Sequence, residues 1–414
     1  MRGMPVERFD VVVAGGGLAG TTAALALAAE GLEVALVDAQ PPEARAPDGR
    51  ASAVAFAPYR LWRALGVAER LEAVQSIAGM AVTEGEAAGA APRVASPAWI
   101  GFDAGELAGS DAGEPLGWMV ENRHAQAALA ATLAHSTVRV RAPARVAAVE
   151  PDVGGCAVRL DDGTVLRAAL AVAADGRDSP LRRRAGIDVV GWDYRRSAVV
   201  ATVAHTEAHE GVARQVFLPA GPLAVLPLPG RRSSLVWTET PERAEALTRL
   251  PAEAFEALLL RRVGEALGPF RLESPRWNHP LRLQLAERRT APRLALIGDA
   301  AASLHPLAGQ GLNLGLKDAA ALAEVLGEAL RLGEDVGSAP VLDRYARRRG
   351  FDSAATALGT DALGRVYGER GAGWSALRAA GVTAAGRIGP LRRFFMREAG
   401  GATGSPPRSL QPPG

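Results

Sequence analysis

A carboxylate, closely spaced glycines and the start of a helix fall within one short stretch, residues 296–318, LIGDAAASLHPLAGQGLNLGLKD. Residues 294–297 read as a buried strand. Gly298 frees the backbone for close approach to a ligand, and Asp299 offers a carboxylate that a polyol hydroxyl can donate to. Gly309 and Gly311 permit a tight turn, and a helix opening near Leu312 points its first N–H groups and positive dipole end toward the same ligand. That arrangement favours an anionic or electron-rich ring edge.

A second constellation opens the chain. The apolar run 9–14 (FDVVVA) is followed by Gly15-Gly16-Gly17-Leu18-Ala19-Gly20, an apolar helical segment over 18–30 and a second strand over 33–37 that ends at Asp38. This is a βαβ unit with G-x-G-x-x-G at the turn and an acid about twenty positions on, the spacing at which a carboxylate receives the ribose hydroxyls of an adenosine. Gly15 makes the turn, Gly17 admits the pyrophosphate to the backbone, and Gly20 lets helix and strand pack closely. These residues indicate a dinucleotide without choosing between FAD and NAD.

A third element is the strand-like 169–174 (ALAVAA), followed by Asp175-Gly176-Arg177-Asp178-Ser179-Pro180 and the basic run Arg182-Arg183-Arg184. Alone it equally describes a polar turn capping a strand. The order G-x-G-x-x-G, Asp-Gly, Gly-Asp across some three hundred residues resembles the flavoprotein aromatic hydroxylases of the para-hydroxybenzoate hydroxylase type. Within that group, residues 305–318 (HPLAGQGLNLGLKD) resemble the signature of the ubiquinone-biosynthesis hydroxylase family. The segments 48–52 (DGRAS), 119–123 (MVENR), 217–219, 221–224 and 226–228 agree, so the resemblance runs from about Phe9 to Glu398.

The resemblance implies an α/β fold: a discontinuous Rossmann-like FAD-binding domain with a parallel sheet and β-meander, a mostly antiparallel substrate domain, and C-terminal helices. The expected boundaries are 1–75, 118–190 and 286–335 for the FAD-binding parts, 76–117 and 191–285 for the substrate domain and 336–398 for the helices; outside the resemblance, 399–414, with Ser405-Pro406-Pro407 and Pro412-Pro413, reads as a disordered tail. The resemblance implies that FAD is reduced by NAD(P)H, that dioxygen adds at the flavin C4a position, and that the hydroperoxide oxygenates an electron-rich ring. It assigns Gly15, Gly17 and Gly20 to the pyrophosphate, Asp38 to the adenosine ribose and Asp299 to the ribityl chain. Gly311, Leu312 and Asn313 are assigned as backbone donors to the flavin pyrimidine edge, with Pro306 in the turn that seals the ring. Arg50 and Arg123 lie near the phosphates or flavin by the same resemblance, although an arginine beside a helix is as often a solvated charge. Asp175 is linked to both cofactor contact and NAD(P)H use. His305, before a proline in a cofactor loop, reads as structural rather than as a general base, and no acid–base pair can be named.

Composition narrows the alternatives. A length of 414 residues suffices for a large core, and 48% hydrophobic content excludes a disordered chain. The net charge of +2, from 47 basic and 45 acidic residues, makes no case for nucleic acid. The single cysteine, Cys156, excludes an internal disulfide, a CxxC redox pair and a cysteine-based zinc site. Cys156 itself reads as packing. No second G-x-G-x-x-G is present, so the nicotinamide is expected to bind transiently. With no signal-peptide core, the protein is expected in the cytoplasm, peripheral to the inner membrane where a polyprenylated phenol and a ubiquinone-biosynthesis complex would be met. Residues 388–397 (IGPLRRFFMR) could lie on an anionic surface, or pack as a helix on the body. A flavoprotein hydroxylase or reductase for a soluble phenol or isoprenoid, and a flavin-binding scaffold without turnover, remain open.

Helices are expected over 58–72, 122–135, 252–267, 310–332, 341–358 and 375–395. Strands are expected over 138–149, 156–160, 165–174 and within 198–240.

Overall fold

The computed structural model describes residues 7–41, 49–84, 100–107, 111–303, 310–350, 400–401 and 406–412. It is an α/β protein with three sheets among the described residues. In the first sheet, strand Arg8–Ala14 lies between the parallel strands Val165–Ala173 and Val34–Val37, with Leu294–Leu296 parallel beyond the former and Arg139–Arg141 beyond the latter. A meander of Val146–Asp152 and Gly155–Leu160 attaches to the strand Val165–Ala173. The alternation of the opening strand explains its burial on both faces. Val11 and Val13 point into a core shared with the helices Leu18–Ala29 and Gln310–Arg331, while Val12 and Ala14 point into a second core against the meander.

Cys156 sits fully buried in that second core, where burial pushes its thiol up to about 11. Packing, rather than chemistry, accounts for it.

Helix Leu18–Ala29 starts at Gly17 and is followed by Gly31 at φ +93°. Helix Gln310–Arg331 is followed by Gly333 at φ +70°. The two cross where Gly298 and Gly315 meet Ala19. A Cβ on Gly315 would stand 2.9 Å from that of Ala19, and one on Gly298 would stand 3.2 Å away. This close crossing brings the N-terminal ends of both helices to the same edge of the parallel sheet.

The second sheet is mostly antiparallel and contains, in order, Ala302–Ser303, Trp277–Ala286, Val189–His205, Arg232–Glu239, Gly221–Leu228, Val212–Leu218, Gly79–Glu84 and Ile100–Asp103. One of its faces, with Val199, Leu235 and Trp237, packs on Ala244 and Leu247 of helix Pro241–Arg249 and on Phe255 of helix Ala252–Val263. The other carries Val200, Val236 and Ala224 in register. A small sheet of Ala51–Ala55, Gly117–Glu121 and Val74–Ile77 lies against it through Met119 and Ile77, packed on Ala213 and Leu228.

Several expected elements differ. The helix expected over 58–72 is Phe56–Ala64, because the chain reverses at Gly66 with φ +71°; only a short 3-10 turn, Ala68–Arg70, follows. The strand expected over 138–149 is two strands, Arg139–Arg141 and Val146–Asp152, separated at Pro143, which lacks the N–H a ladder needs. Helix Pro241–Arg249 was not foreseen; Thr240 caps it by accepting the Arg243 N–H. The disordered tail expected over 399–414 is corrected at residues 406–412. Leu410 is 1% exposed within the core of the first helices, and its carbonyl accepts from the buried Arg60. Residues 339–350 are helical; the remainder of the expected helix 341–358, the helix 375–395, the 388–397 segment and the turn holding His305 and Pro306 lie outside the described residues.

Candidate active site

Four motifs far apart in sequence converge because the parallel strands end in step. Ala14 is in register with Val37 and with Ala173, and Ala173 with Leu296. Gly15, Asp38, Asp175 and Gly298-Asp299 therefore leave the carboxyl ends of four adjacent strands along one edge, where open α/β sheets bind ligands.

The three glycines of the opening turn separate by role. Gly15 has φ +108°, and a Cβ there would lie 2.3 Å from the Ala174 carbonyl oxygen. A Cβ on Gly20 would lie 1.9 Å from the Gly15 carbonyl oxygen. Both are required by protein packing. A Cβ on Gly17 would meet no described atom within 4 Å, so its missing side chain serves the open side of the turn. Asp38 accepts the Gly16 and Gln40 N–H groups, the latter at 2.8 Å. A recess beside it is walled by Leu18, Leu36, Leu129 and Val140, apolar enough for a planar base.

Asp175 is half-buried. One carboxylate oxygen accepts the Leu181 N–H at 3.2 Å, and the other, buried, has no hydrogen-bond partner among the described residues. The Asp-Gly turn is laced to the Gly-Asp turn by Arg182, which is 3% exposed and donates at 2.9 Å to the carbonyls of Arg177 and Ala300. Burial lowers the Arg182 pKa, with Asp175 opposing. Arg177 donates to Ser303 Oγ at 2.9 Å.

At the other end, Gly298 adopts φ +59° and packs on Ala19. Its freedom serves the turn and the helix crossing. Asp299 is both accessible and enclosed. Its side chain is exposed to the cleft, yet the protein packed around it raises its pKa, against the pull of the Arg177 and then the Arg50 guanidinium. Gly311 stands at the start of helix Gln310–Arg331, and a Cβ on it would meet no described atom within 4 Å. The Asn313 side chain bridges to a distant strand, accepting the Ala55 N–H at 2.9 Å and donating to the Ala53 carbonyl at 2.9 Å. It clamps the late helix to the end of Ala51–Ala55.

Arg50 is exposed beside Asp299, and its carbonyl accepts the Asn122 N–H at 2.9 Å. Arg123, 53% exposed, is turned to Glu121, with both carboxylate oxygens at 3.1 Å. The second sheet reaches this end through Trp277, whose ring lies against Gly49. Sequence reasoning missed Arg182, Trp277 and Asp318. Asp318 was visible as the last residue of the signature stretch, but nothing in its spacing disclosed what it contacts.

These residues fit a flavin dinucleotide: an open glycine at the first helix start, an unsatisfied carboxylate oxygen beside it, and an accessible acid at the second helix start. A parallel dinucleotide-type sheet beside a mostly antiparallel sheet is the architecture of FAD-dependent monooxygenases of the para-hydroxybenzoate hydroxylase type. The fold superposes on p-nitrophenol 4-monooxygenase PnpA from Pseudomonas putida with a TM-score of 0.79 and 22% identity, over 94% of this chain and 97% of that one. It superposes on PqsL, a probable FAD-dependent monooxygenase from Pseudomonas aeruginosa, with a TM-score of 0.74 and 25% identity, over 91% of this chain and all of that one. The chain belongs to the FAD binding domain family, whose model matches residues 8–357, and is an FAD-dependent monooxygenase. It is 42% identical to the ubiquinone hydroxylase UbiL of Rhodospirillum rubrum, over 97% of this chain and 92% of that protein. It is 34% identical to the 3-demethoxyubiquinol 3-hydroxylase of Escherichia coli, over 96% and 99% respectively.

Bound FAD supplies the redox chemistry, taking electrons from NAD(P)H and delivering one atom of dioxygen to the substrate. What the chain supplies is geometry and electrostatics.

Proposed function

We propose that the protein hydroxylates the aromatic ring of a polyprenylated phenol on the route to ubiquinone, using FAD, NAD(P)H and dioxygen. The observation that carries this reading is the near full-length likeness to relatives named for hydroxylation in that pathway. The register of the second sheet supports it. Val200, Val236 and Ala224 share the face opposite the helix-packed one, in a row that starts at Trp277 beside Gly49. An apolar face next to the ring end suits a hydrophobic phenol and excludes water from the reacting atoms.

In this reading Gly17 and Asp38 receive the pyrophosphate and adenosine ribose, with Gly15 and Gly20 shaping the turn. Asp299 accepts from the ribityl chain, and the first N–H groups of the late helix, at Gly311, Leu312 and Asn313, face the pyrimidine edge, where they stabilise negative charge. The ring-end role of Pro306 rests on the family resemblance alone. Arg50 stands close enough to Asp299 to serve the phosphates. Asp175 turns its free oxygen toward the cofactor or its reductant. Arg123 would have to leave Glu121 to do the same. The FAD-binding parts are residues 1–75, 118–190 and 286–335, with the substrate domain between them.

A prenylated substrate places the enzyme at a membrane surface or within a lipid-presenting assembly. Among the described residues no helix is long and apolar enough to cross a membrane, which leaves peripheral contact as the proposed mode. The test is deletion of the gene, with redundant hydroxylases removed, followed by mass spectrometry of quinone intermediates. Accumulation of a prenylated precursor lacking one ring oxygen supports the assignment. An unchanged quinone profile, or NAD(P)H oxidation stimulated by small phenols without a prenyl tail, removes it.

A further inference from the structure

Behind the Gly298-Asp299 turn, on the side away from the cleft, lies a buried ionic cluster to which the reaction assigns no task. Asp318, wholly buried on the late helix, places one carboxylate oxygen 3.0 Å from the Gly298 backbone nitrogen, which donates to it. Its other oxygen accepts from Arg289 at 3.0 Å and from Arg349 at 2.7 Å. Arg289 immediately precedes the strands that lead into the turn, and its own carbonyl accepts the Leu296 N–H at 2.8 Å. Arg349 belongs to the helical residues 339–350. From the same segment Tyr345 donates its hydroxyl to the Leu296 carbonyl at 2.8 Å.

A buried carboxylate loses its hydration and must recover the difference from charged donors. Asp318 does so with two guanidiniums from separate parts of the chain, and then uses its remaining oxygen on one backbone N–H. That N–H belongs to the residue before Asp299. Gly298 adopts a left-handed conformation there, so the direction in which Asp299 leaves the turn depends on how its backbone is held. Burial raises the Tyr345 pKa, and the neighbouring Asp318 charge adds to this, so the phenol stays protonated as the donor the Leu296 carbonyl needs.

We infer that Asp318, braced by Arg289 and Arg349, is a positioning residue that sets the Gly298-Asp299 turn for flavin binding, and that Tyr345 is its second strut. The C-terminal helical segment thereby takes part in cofactor affinity without touching the cleft. The inference rests on the assignment of Asp299 to the flavin, so the experiment separates the two.

Purified apoprotein is titrated with FAD by flavin fluorescence, with the melting temperature recorded in the absence and presence of FAD. Four proteins are compared with wild type: Asp299→Ala, Asp318→Asn, Arg349→Met and Tyr345→Phe. The expected result is a weaker FAD affinity in all four. Asp318→Asn should show a loss of about tenfold or more, because only part of the larger cost of breaking a buried charge pair on one side falls on the flavin-binding turn. Tyr345→Phe, which keeps the ring volume and removes one hydrogen bond, should lose about two- to fivefold. The gain in melting temperature on adding FAD should shrink in each. If Asp318→Asn does not fold, Arg349→Met and Tyr345→Phe decide. Lower apoprotein stability with unchanged FAD affinity in the foldable variants overturns the positioning role and leaves the cluster as a structural strut. Unchanged affinity in Asp299→Ala instead overturns the flavin assignment of that acid.

Discussion

The two ends of the cofactor site are built differently. The proposed adenosine end draws its glycines and Asp38 from one contiguous stretch, residues 8–38, with Leu129 and Val140 closing the recess beside them. The ring end is assembled from pieces more than two hundred residues apart: Asn313 reaches Ala53 and Ala55, and Gly298 meets Ala19. A local turn needs only the right glycines to form. A composite turn needs clamps, and at this end the clamps are buried polar side chains with fixed partners. Substitutions should therefore fail by steric exclusion at the first end and by loss of polar satisfaction at the second.

The largest effect is expected from Gly20→Val. Its Cβ would fall 1.9 Å from the Gly15 carbonyl oxygen, a backbone contact that cannot yield. Overpacking typically costs about 1–3 kcal/mol, and a contact with rigid backbone falls at or beyond the top of that range. Expression trials and urea melts should show a chain that does not reach a stable flavoprotein. A normally folded Gly20→Val protein would break the account of the local end.

Next comes Asn313→Ala at the composite end. It strands the buried Ala55 N–H, at about 1–3 kcal/mol, and the partly buried Ala53 carbonyl, at less. Denaturant midpoints of apoprotein and holoprotein should both fall. A loss below about 0.5 kcal/mol, the range of neutral surface changes, would show that the late helix holds its place without the clamp.

Gly17→Ala sharpens the contrast, since a Cβ there meets no described atom within 4 Å. The apoprotein should lose about 1 kcal/mol or less, the cost of alanine at a helix N-cap. FAD affinity should drop by about tenfold or more, because the pyrophosphate needs close backbone approach. Calorimetric FAD titration measures this directly. Equal losses in stability and affinity would merge Gly17 with Gly20 and erase the distinction between packing and ligand-facing glycines.

The smallest effect is a pH slope. The folded protein raises the Asp299 pKa above its ordinary 3.8. Between that value and the raised one, the native state holds a proton that the unfolded chain has released. Asp299 therefore makes apoprotein stability fall as pH rises through this window, and the deficit persists above it. Asp299→Asn removes the dependence, so its apoprotein should gain on wild type toward neutral pH while binding FAD less well. Melting temperatures of the two apoproteins between pH 4 and pH 7 check this. A constant difference across that range would mean that Asp299 carries no such penalty.

Much of the architecture was readable because its signals are local. The βαβ unit, the strands expected over 156–160 and 165–174 and the late helix each follow from hydrophobic period and glycine punctuation, and the late helix runs Gln310–Arg331 where 310–332 was expected. The misreadings have equally local causes. Gly66 ended a helix that periodicity alone would have continued. Residues 406–412 looked like a tail from their prolines, yet Leu410 found a place in the core beside Arg60. Proline content describes a segment's own preferences and says nothing of a surface ready to receive it.

Residue types and spacing by themselves marked out a dinucleotide-type glycine turn at the start of the chain and an acid and a helix start far along it, because turn geometry and helix dipoles act over a few residues. Tertiary structure supplied the backbone atoms that fill the space at Gly15 and Gly20 and leave Gly17 open. It also decided that Arg123 turns to Glu121, and that Asp318 holds the turn from behind through Arg289 and Arg349. Such roles depend on which groups meet after the chain closes on itself. A carboxylate in a sequence carries its charge, but its partners are set by where the sheets and helices bring them.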